Sequence, residues 1–272
     1  MRVIINADDL GLTHESNLGV AKAFEQGLCT QTTLVVNSEF TEEGVEMARE
    51  GGFADHVGLH LNLTECAPLS EPIRKLSKYV DEQGLLHYTP RFMEQDTYGE
   101  SPLITYVDEY MTEAFATEVR AVREEVDAQV ERFRELGFRL THIDSHTNVL
   151  VDLPVWLAAR PVVEAAGFRT MRCTFDSFAT DDPYNEAYRI WLAEQRRDAG
   201  LVCGRYTSSV PRYRKRRGSL SSMWFAPGEP IEIYVHPVYV DGELLDNFTG
   251  GMSLADNVDE LGGIERTSAF DA

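Results

Sequence analysis

Two adjacent carboxylates, Asp8 and Asp9, follow the short apolar run Val3-Ile4-Ile5 near the start of the chain. Neighbouring carboxylates repel each other, so a site that holds both usually contains a cation or two unequal pKa values. An isolated Asp-Asp pair is also explained by one residue capping the helix predicted to begin near Glu15, with the other solvated. Histidines elsewhere favour chemistry, because three of them occur at or near the ends of other apolar runs: His60, His146 and His236.

Two imidazoles and one carboxylate form a common ligand set for Zn²⁺ and related ions, and Asp9, His60 and His146 can supply it. Such an ion would lower the pKa of a bound water and polarise a substrate carbonyl. Asp8 would then be available as a general base, and His236 as a general acid for the leaving group. Each histidine taken singly is better explained as a hydrogen-bonded core or rim residue, so the prediction depends on the joint arrangement.

Strand and helix patterns alternate along the chain and predict how these residues are brought together. Alternation of this kind indicates parallel βα units, in which the carboxyl ends of the strands meet at one edge. The candidate residues lie at or near such ends. Strands are predicted at 3–5, 32–36, 56–63, 138–146, 168–173 and 231–235, and helices at 15–27, from 41 onward, and at 112–136, 153–166 and 184–199.

The remaining stretches are less regular. Residues 67–102 predict a long connection of the kind that often forms a lid, and residues 201–230 are poorly defined. The segment after Asn247 has few apolar residues and two glycine pairs. We therefore expect one domain over residues 1–247 and a loosely held tail over residues 248–272.

Composition excludes several classes of protein. The 272 residues are 43% hydrophobic, which suffices for a sizeable core, and the net charge of −20 argues against a broad nucleic-acid-binding face. We expect no signal peptide, because Met1-Arg2 leads directly into a strand, and no membrane span, because no apolar run is long enough. These features predict a cytoplasmic protein. The four cysteines are widely scattered and are most simply buried thiols.

One basic cluster, Arg212–Arg217, interrupts the acidic composition. Its simplest interpretation is a solvated loop, which can also dock on an acidic face of another subunit. Recognition of an anionic ligand is the sharper alternative.

The opening Asn6-Ala7-Asp8-Asp9-Leu10-Gly11 resembles the N-terminal signature of the YdjC/ChbG-like carbohydrate deacetylase family. Further similar blocks follow in the order of the family and cover most of the chain to about residue 237. They are residues 17–20, 27–37, 57–64 with Pro68-Leu69, 141–146 and 232–237.

The resemblance implies a distorted, TIM-barrel-like (β/α) barrel in a single domain. It also implies Mg²⁺- or Zn²⁺-dependent removal of an N-acetyl group from an amino sugar of the chitooligosaccharide or diacetylchitobiose type. The metal ligands of the family would correspond to Asp9, His60 and His146, and its base to Asp8. His236 would be the acid, by analogy with other polysaccharide deacetylases, and Arg172 would orient the base or bind substrate. The family also suggests a homodimer.

The sequence departs from the family pattern after His146, where Asn148 and Leu150 replace further histidines. Two alternatives therefore stay open beside a deacetylase. One is a metal-dependent hydrolase of an ester or phosphoester, which the Arg212–Arg217 cluster would suit. The other is a carbohydrate-binding protein that has lost turnover, which the two replacements favour.

Overall fold

A curled parallel sheet organises the protein. The computed structural model describes residues 2–90, 112–172, 183–203, 207–216 and 230–271. The strands of this sheet are β1 (Arg2–Leu10), β2 (Gln31–Leu34), β3 (Val57–Leu61), β4 (His142–Ser145), β5 (Thr170–Met171), β6 (Val202–Cys203), β7 (Thr207–Ser209), β8 (Ile231–Val235) and β12 (Glu265–Thr267). Within the described residues they follow the order β6-β5-β4-β3-β2-β1-β8-β7, and β12 pairs with β1 as well.

This strand order is that of a (β/α) barrel with one open seam between β6 and β7 in the described part of the chain. The predicted distorted, TIM-barrel-like fold is confirmed as a curled half-barrel with helices in a single α/β domain. Every pairing in the sheet is parallel. The carboxyl ends of β1, β3, β4 and β8 consequently meet at one edge, where the sequence places its candidate site.

The helices confirm most of the predicted pattern. They are α1 (His14–Glu25), α2 (Thr41–Glu50), α3 (Glu113–Glu135), α4 (Leu153–Ala166), α5 (Pro183–Asp198), α6 (Val210–Arg216) and α7 (Leu254–Asp259). Along α3 the predicted stripe is buried at Phe115, Val122, Val126, Val130 and Phe133, with Val119 packed beside it. This stripe attaches α3 to the sheet, because apolar side chains at helical spacing lose water contact together.

The C-terminal segment corrects one expectation. Residues 248–272 were predicted to be loosely held, yet β12 pairs in parallel with the start of β1, and Leu254, Val258 and Leu261 are buried. The backbone of Ala269 also donates to Oε1 of Gln31 at 2.8 Å. Low apolar content misled the prediction, because strand pairing and a few well-placed apolar residues attach the segment without an apolar run.

A small antiparallel sheet follows β8 and leads into that segment. It contains β9 (Pro237–Val240), β10 (Glu243–Asp246) and β11 (Met252–Ser253), in the order β11-β10-β9. Gly19 of α1 lies so close to this sheet that an added Cβ would be 2.4 Å from the carbonyl oxygen of Pro237. Only glycine permits that approach, which places the chain after His236 against α1.

The structure describes parts of the predicted connection 67–102, of the predicted strand 168–173 and of the cysteine set. Residues 67–90 contain a short 3₁₀ turn, Ile73–Lys75, and an isolated bridge between Val80 and Leu86, while residues 91–102 lie outside the described residues. The predicted strand at 168–173 is shorter, and its last residue also lies outside them. Cys29 is buried and Cys66 partly buried, both as free thiols. No helix in the described part combines the length and apolar character needed to cross a membrane.

Candidate metal centre

A β-bulge in β1 explains how two adjacent carboxylates reach the same site. Ala7 pairs with Thr32 and Leu10 with Leu34, so Asp8 and Asp9 together stand opposite a single residue of β2. Asp9 has a φ of 70°, in the left-handed region that non-glycine residues rarely adopt. In a regular strand neighbouring side chains point to opposite faces, and the bulge removes that alternation here.

The three predicted metal ligands lie together. Oδ1 of Asp9 is 2.8 Å from Nδ1 of His146 and 3.2 Å from Nε2 of His60. One ligand atom from each of the three residues lies within 4.8 Å of the others. Donors that share one tetrahedral ion at ordinary bond lengths are separated by about 3.3 Å, so these spacings suit a common ion.

His60 is held in one orientation by a buried carboxylate. Its Nδ1 atom lies 2.5 Å from Oδ1 of Asp144, on the neighbouring strand β4. Thr33 lies beside both groups and donates to Oδ2 of Asp144 at 3.0 Å. Because Nδ1 is engaged with Asp144, Nε2 is presented toward Asp9, which is the usual arrangement of a ligating histidine and its carboxylate partner.

His146 begins a short 3₁₀ segment, His146–Val151, immediately after β4. The two residues that follow it are in the left-handed region, Thr147 with φ 49° and Asn148 with φ 56°. Leu150, one of the two departures from the family pattern, is a buried core residue whose N–H donates to Oγ of Ser145 at 3.2 Å. Asn148 is partly exposed, so of the two replacements it alone borders solvent within the described residues.

The electrostatics of the three groups are strongly coupled. Burial lowers the pKa of both histidines, but nearby carboxylates outweigh it: Asp144 and Asp9 raise the pKa of His60 to about 9, and Asp9 and Glu65 raise that of His146 to about 10. Burial raises the pKa of Asp9, but the two histidines hold it well below its usual range. Without an ion, the histidines therefore carry the protons that compensate these carboxylates.

Asp8 is bound by Arg172 through both carboxylate oxygens. The terminal nitrogens of Arg172 donate to Oδ2 and Oδ1 of Asp8 at 2.7 and 2.6 Å, and its Nε donates to Glu232 at 2.6 Å. The same guanidinium lies 2.6 Å from Oδ2 of Asp144. Burial lowers the pKa of Arg172, but Asp144, Asp8 and Glu232 raise it well above its ordinary value, so it remains charged.

His236 also lies beside Asp8, with its Nε2 atom 3.7 Å from Oδ2 of that carboxylate. Its ring stacks on Phe248, with centroids 5.3 Å apart, and meets the edge of Tyr234. Its backbone N–H donates to Oδ1 of Asp246 at 3.2 Å. Burial raises the pKa of Asp246, although His236 opposes that shift. The structure therefore brings together every candidate site residue, Arg172 included.

The donor chemistry fits a divalent cation. Two imidazoles converge on the carboxylate of Asp9, and beside them Asp8, Asp144 and Glu232 surround the guanidinium of Arg172. Largely buried carboxylates in such excess are costly unless positive charge is added. Asp9, His60 and His146 could hold the ion, with Asp144 behind His60.

A family model described as YdjC-like protein matches residues 2–268.

The chain belongs to the YdjC-like family.

Its curated relatives are named carbohydrate deacetylases. The Vibrio campbellii relative is 34% identical over 252 residues, which cover 90% of this chain and 81% of that protein. The human relative is 29% identical over 209 residues, which cover 76% of this chain and 59% of that protein. The Clostridium beijerinckii relative is 36% identical over 149 residues, which cover 55% of this chain and 51% of that protein. The chain thus spans about half the length of some of the relatives it matches.

The same YdjC-like fold occurs in a crystal structure from Enterococcus faecalis V583, named as that of a proposed cellobiose-phosphate cleavage protein. The TM-score is 0.65 with 21% identity, and the similarity covers 99% of this chain and 98% of the other. At that identity the comparison supports the fold and nothing finer.

Several site residues of this YdjC-like chain were missed by the sequence analysis. Asp144 and Glu232 lie inside the sequence blocks that carried the resemblance, and their signal was a carboxylate within a buried strand. Thr33 and Asn6 gave no such signal, because a buried hydroxyl or amide is recognised as part of a site only through its partners. Asn6 donates to Oδ1 of Asp8 at 2.6 Å and to Thr33 at 3.1 Å.

Proposed function

We propose that this chain is a metal-dependent carbohydrate deacetylase that hydrolyses the N-acetyl group of an amino sugar of the chitooligosaccharide type. The observation that carries the proposal is the convergence of Asp9, His60 and His146 beside the facing pair Asp8 and His236. The family membership and the names of the relatives support the same class of reaction.

The ligand set also favours one kind of ion. When bound, a divalent ion lowers the pKa of a water molecule and polarises the carbonyl of the acetyl group. Mg²⁺ prefers an octahedral shell of oxygen ligands, whereas imidazole nitrogen suits Zn²⁺ and other transition metals. Two imidazoles and one carboxylate therefore favour a Zn²⁺-like ion over Mg²⁺ in this site.

Asp8 is placed to accept the proton of the attacking water. Arg172 binds both of its oxygens and so fixes the plane of the carboxylate, while Asn6 donates to Oδ1. Each carboxylate oxygen has two acceptor positions, so these bonds leave capacity for a water proton. Arg172 thus acts as an orienting group for the base, one of the two roles expected from the resemblance.

His236 is placed to protonate the departing amine. Its Nε2 atom faces Asp8, and its side chain is 21% exposed, so a substrate can reach it from the open side. Stacking on Phe248 and the contact with Tyr234 restrict rotation of the ring. A proton taken up by Asp8 and another delivered by His236 complete the hydrolysis to acetate and a free amine.

The alternatives predict different substrates or no turnover. Arg212 lies 6.0 Å above the ring of Phe248, near His236, and a cation at that position suits an anionic substrate such as a phosphoester. Loss of turnover is the interpretation drawn from Asn148 and Leu150. It is less favoured, because the proposed ligands, base and acid all converge in the described structure.

The direct test is release of acetate from diacetylchitobiose by the purified protein supplied in turn with Zn²⁺, Co²⁺, Ni²⁺ and Mg²⁺. We expect release that a chelator abolishes and that Asp8→Asn lowers by about 100- to 10,000-fold. Asp127→Asn, on the exposed surface of α3, is the matched control and should be fully active. Ion binding without turnover on any acetylated sugar would contradict the proposal, as would turnover of phosphoesters alone.

Four further expectations belong to the proposal. The substrate is a small sugar and no nucleic acid is bound, since the net charge is −20. We also propose a cytoplasmic location and a homodimer.

The basic cluster Arg212–Arg217 is engaged in part within its own chain. Arg214 pairs with Glu260 of the same chain at 2.5 Å, so this residue does not require an acidic partner subunit. Arg217 lies outside the described residues.

A further inference from the structure

His146 lies between two carboxylates. Its Nδ1 atom is 2.8 Å from Oδ1 of Asp9, and its Nε2 atom is 3.4 Å from Oε1 of Glu65. Glu65 follows strand β3, just past the end that carries His60. The sequence analysis gave Glu65 no role, because an acidic residue in a polar loop resembles an ordinary solvated side chain.

The loop that carries Glu65 is held at several points. The buried side chain of Asn62 accepts the N–H groups of Thr64 and Glu65 at 3.0 and 3.2 Å and donates to the carbonyl of Glu65 at 2.8 Å. Asn37, at the other side, accepts from Asn62 at 3.1 Å. Cys66 adopts a φ of 65°, in the left-handed region. These bonds fix the direction in which the Glu65 side chain leaves the backbone.

The contacts of His146 with Asp9 and Glu65 repeat those of His60 with Asp9 and Asp144. In each case one ring nitrogen of the histidine faces Asp9 and the other faces a second carboxylate. An acceptor behind a ligating imidazole fixes its tautomer and its orientation, and removing it typically weakens metal binding by about 10- to 100-fold. Glu65 differs from Asp144 in exposure, because its side chain is 53% exposed whereas that of Asp144 is fully buried.

We infer that Glu65 is a positioning residue for His146: it accepts the N–H of Nε2 and thereby keeps Nδ1 available to the ion beside Asp9. This inference rests on the proposed metal centre. Because Glu65 is half exposed and its contact is longer, its contribution lies at the lower end of the range, at about tenfold in affinity. Glu65 is assigned no direct bond to the ion.

The test is a titration of metal-free protein with Co²⁺, followed by the visible absorption of the bound ion and by competition with Zn²⁺. We expect Glu65→Ala to bind Co²⁺ about tenfold more weakly than the parent protein. Glu65→Gln should stay within about threefold, because the amide oxygen still accepts the imidazole N–H. Glu71→Ala is the matched control, since Glu71 is 78% exposed and pairs with Arg74.

Each outcome decides between named roles. Equal affinity of the parent and Glu65→Ala would overturn the positioning role. Equal losses in Glu65→Ala and Glu65→Gln would overturn it in favour of direct ligation. Absence of Co²⁺ binding in the parent protein would instead overturn the metal centre, and with it the proposed function. Thermal unfolding of each metal-free variant separates these results from misfolding, and the parent and all three variants should unfold cooperatively.

Discussion

The imidazole of His60 connects two carboxylates, with Nδ1 lying 2.5 Å from Oδ1 of Asp144 and Nε2 lying 3.2 Å from Oδ1 of Asp9. Asp144 uses its other oxygen, Oδ2, for the guanidinium of Arg172 at 2.6 Å. The proposed ligand His60 and the arginine that orients the proposed base Asp8 are therefore fixed by one side chain. This relation couples the metal ligands to the acid–base pair.

Asp144→Asn should weaken Co²⁺ binding by about 10- to 100-fold. A carboxylate accepts on both oxygens, whereas an asparagine must direct its amide N–H₂ at either His60 or Arg172, both of which present donors. The measurement is the same Co²⁺ titration of metal-free protein. Asp152→Asn is the control, since this buried carboxylate accepts from Tyr88 at 2.7 Å. Equal affinities in both variants would show that Asp144 does not support His60.

Arg172→Gln should lower the free energy of unfolding by about 3–5 kcal/mol, the usual consequence of removing one partner from a buried ion pair. The variant leaves the carboxylates of Asp8, Asp144 and Glu232 without the guanidinium that now contacts all three. Chemical denaturation of the metal-free protein measures the change. Arg123→Gln, on the exposed face of α3, should change it by less than about 0.5 kcal/mol. A loss below about 1 kcal/mol in Arg172→Gln would contradict the arrangement.

Affinity for a divalent ion should rise with pH. In the metal-free protein the pKa of His60 is about 9 and that of His146 about 10, so an ion that binds near pH 7 must displace protons from both rings. Between about pH 7 and pH 9 the affinity should increase by roughly 10- to 100-fold per pH unit, and it should level off above pH 10. Calorimetry in several buffers measures both the affinity and the protons released. A pH-independent affinity would contradict ligation by these two histidines.

The free energy of unfolding of the metal-free protein should fall as the pH rises. Because the folded-state pKa values of His60 and His146 exceed the unfolded value of about 6.5, protonation stabilises the fold fully below that pH. This stabilisation is lost as pH rises through about 9 and 10. Chemical denaturation between pH 7 and 10 measures it, and added Zn²⁺ should reverse the loss. His60→Ala and His146→Ala should each flatten the dependence.

Asp246→Ala should lower kcat by about tenfold or more while leaving Co²⁺ affinity unchanged. Asp246 accepts the backbone N–H of His236 at 3.2 Å and that of Phe248 at 3.1 Å, so it fixes the backbone of the proposed acid and of the ring that stacks on it. A displacement of the acid from the substrate costs rate without affecting the ligands of the ion. The measurement is steady-state acetate release together with the Co²⁺ titration. A rise in KM with kcat unchanged would contradict a role in positioning His236.

The fold could be predicted because hydrophobic periodicity is a local property of the sequence. The apolar stripe on α3 and the runs before Asp8 and after Pro230 establish alternating helices and strands. The seam between β6 and β7 and the pairing of β12 with β1 could not be predicted this way. Both depend on which strand edges meet in space, and short strands such as Val202–Cys203 carry almost no pattern.

Residues of the candidate site could be predicted where a side chain able to bind a metal lies at the end of a predicted strand. Asp9, His60 and His146 were identified in that manner, and the structure brings their donors together. The bulge at Asp8-Asp9 had no signal in the sequence, although it is what turns both carboxylates toward one site. Glu65 was missed because its direction is set by side-chain amides: that of Asn62, which bonds its backbone, and that of Asn37, from a distant segment, which bonds Asn62.

The most direct test of the central claim is an anomalous scattering measurement at the zinc edge, on crystals of the protein grown with Zn²⁺. We predict one strong peak per chain, within bonding distance of a carboxylate oxygen of Asp9, Nε2 of His60 and a ring nitrogen of His146, with Asp8 outside the coordination shell. A chain with no peak at that position, or with Asp8 rather than Asp9 bound to the ion, would contradict the account.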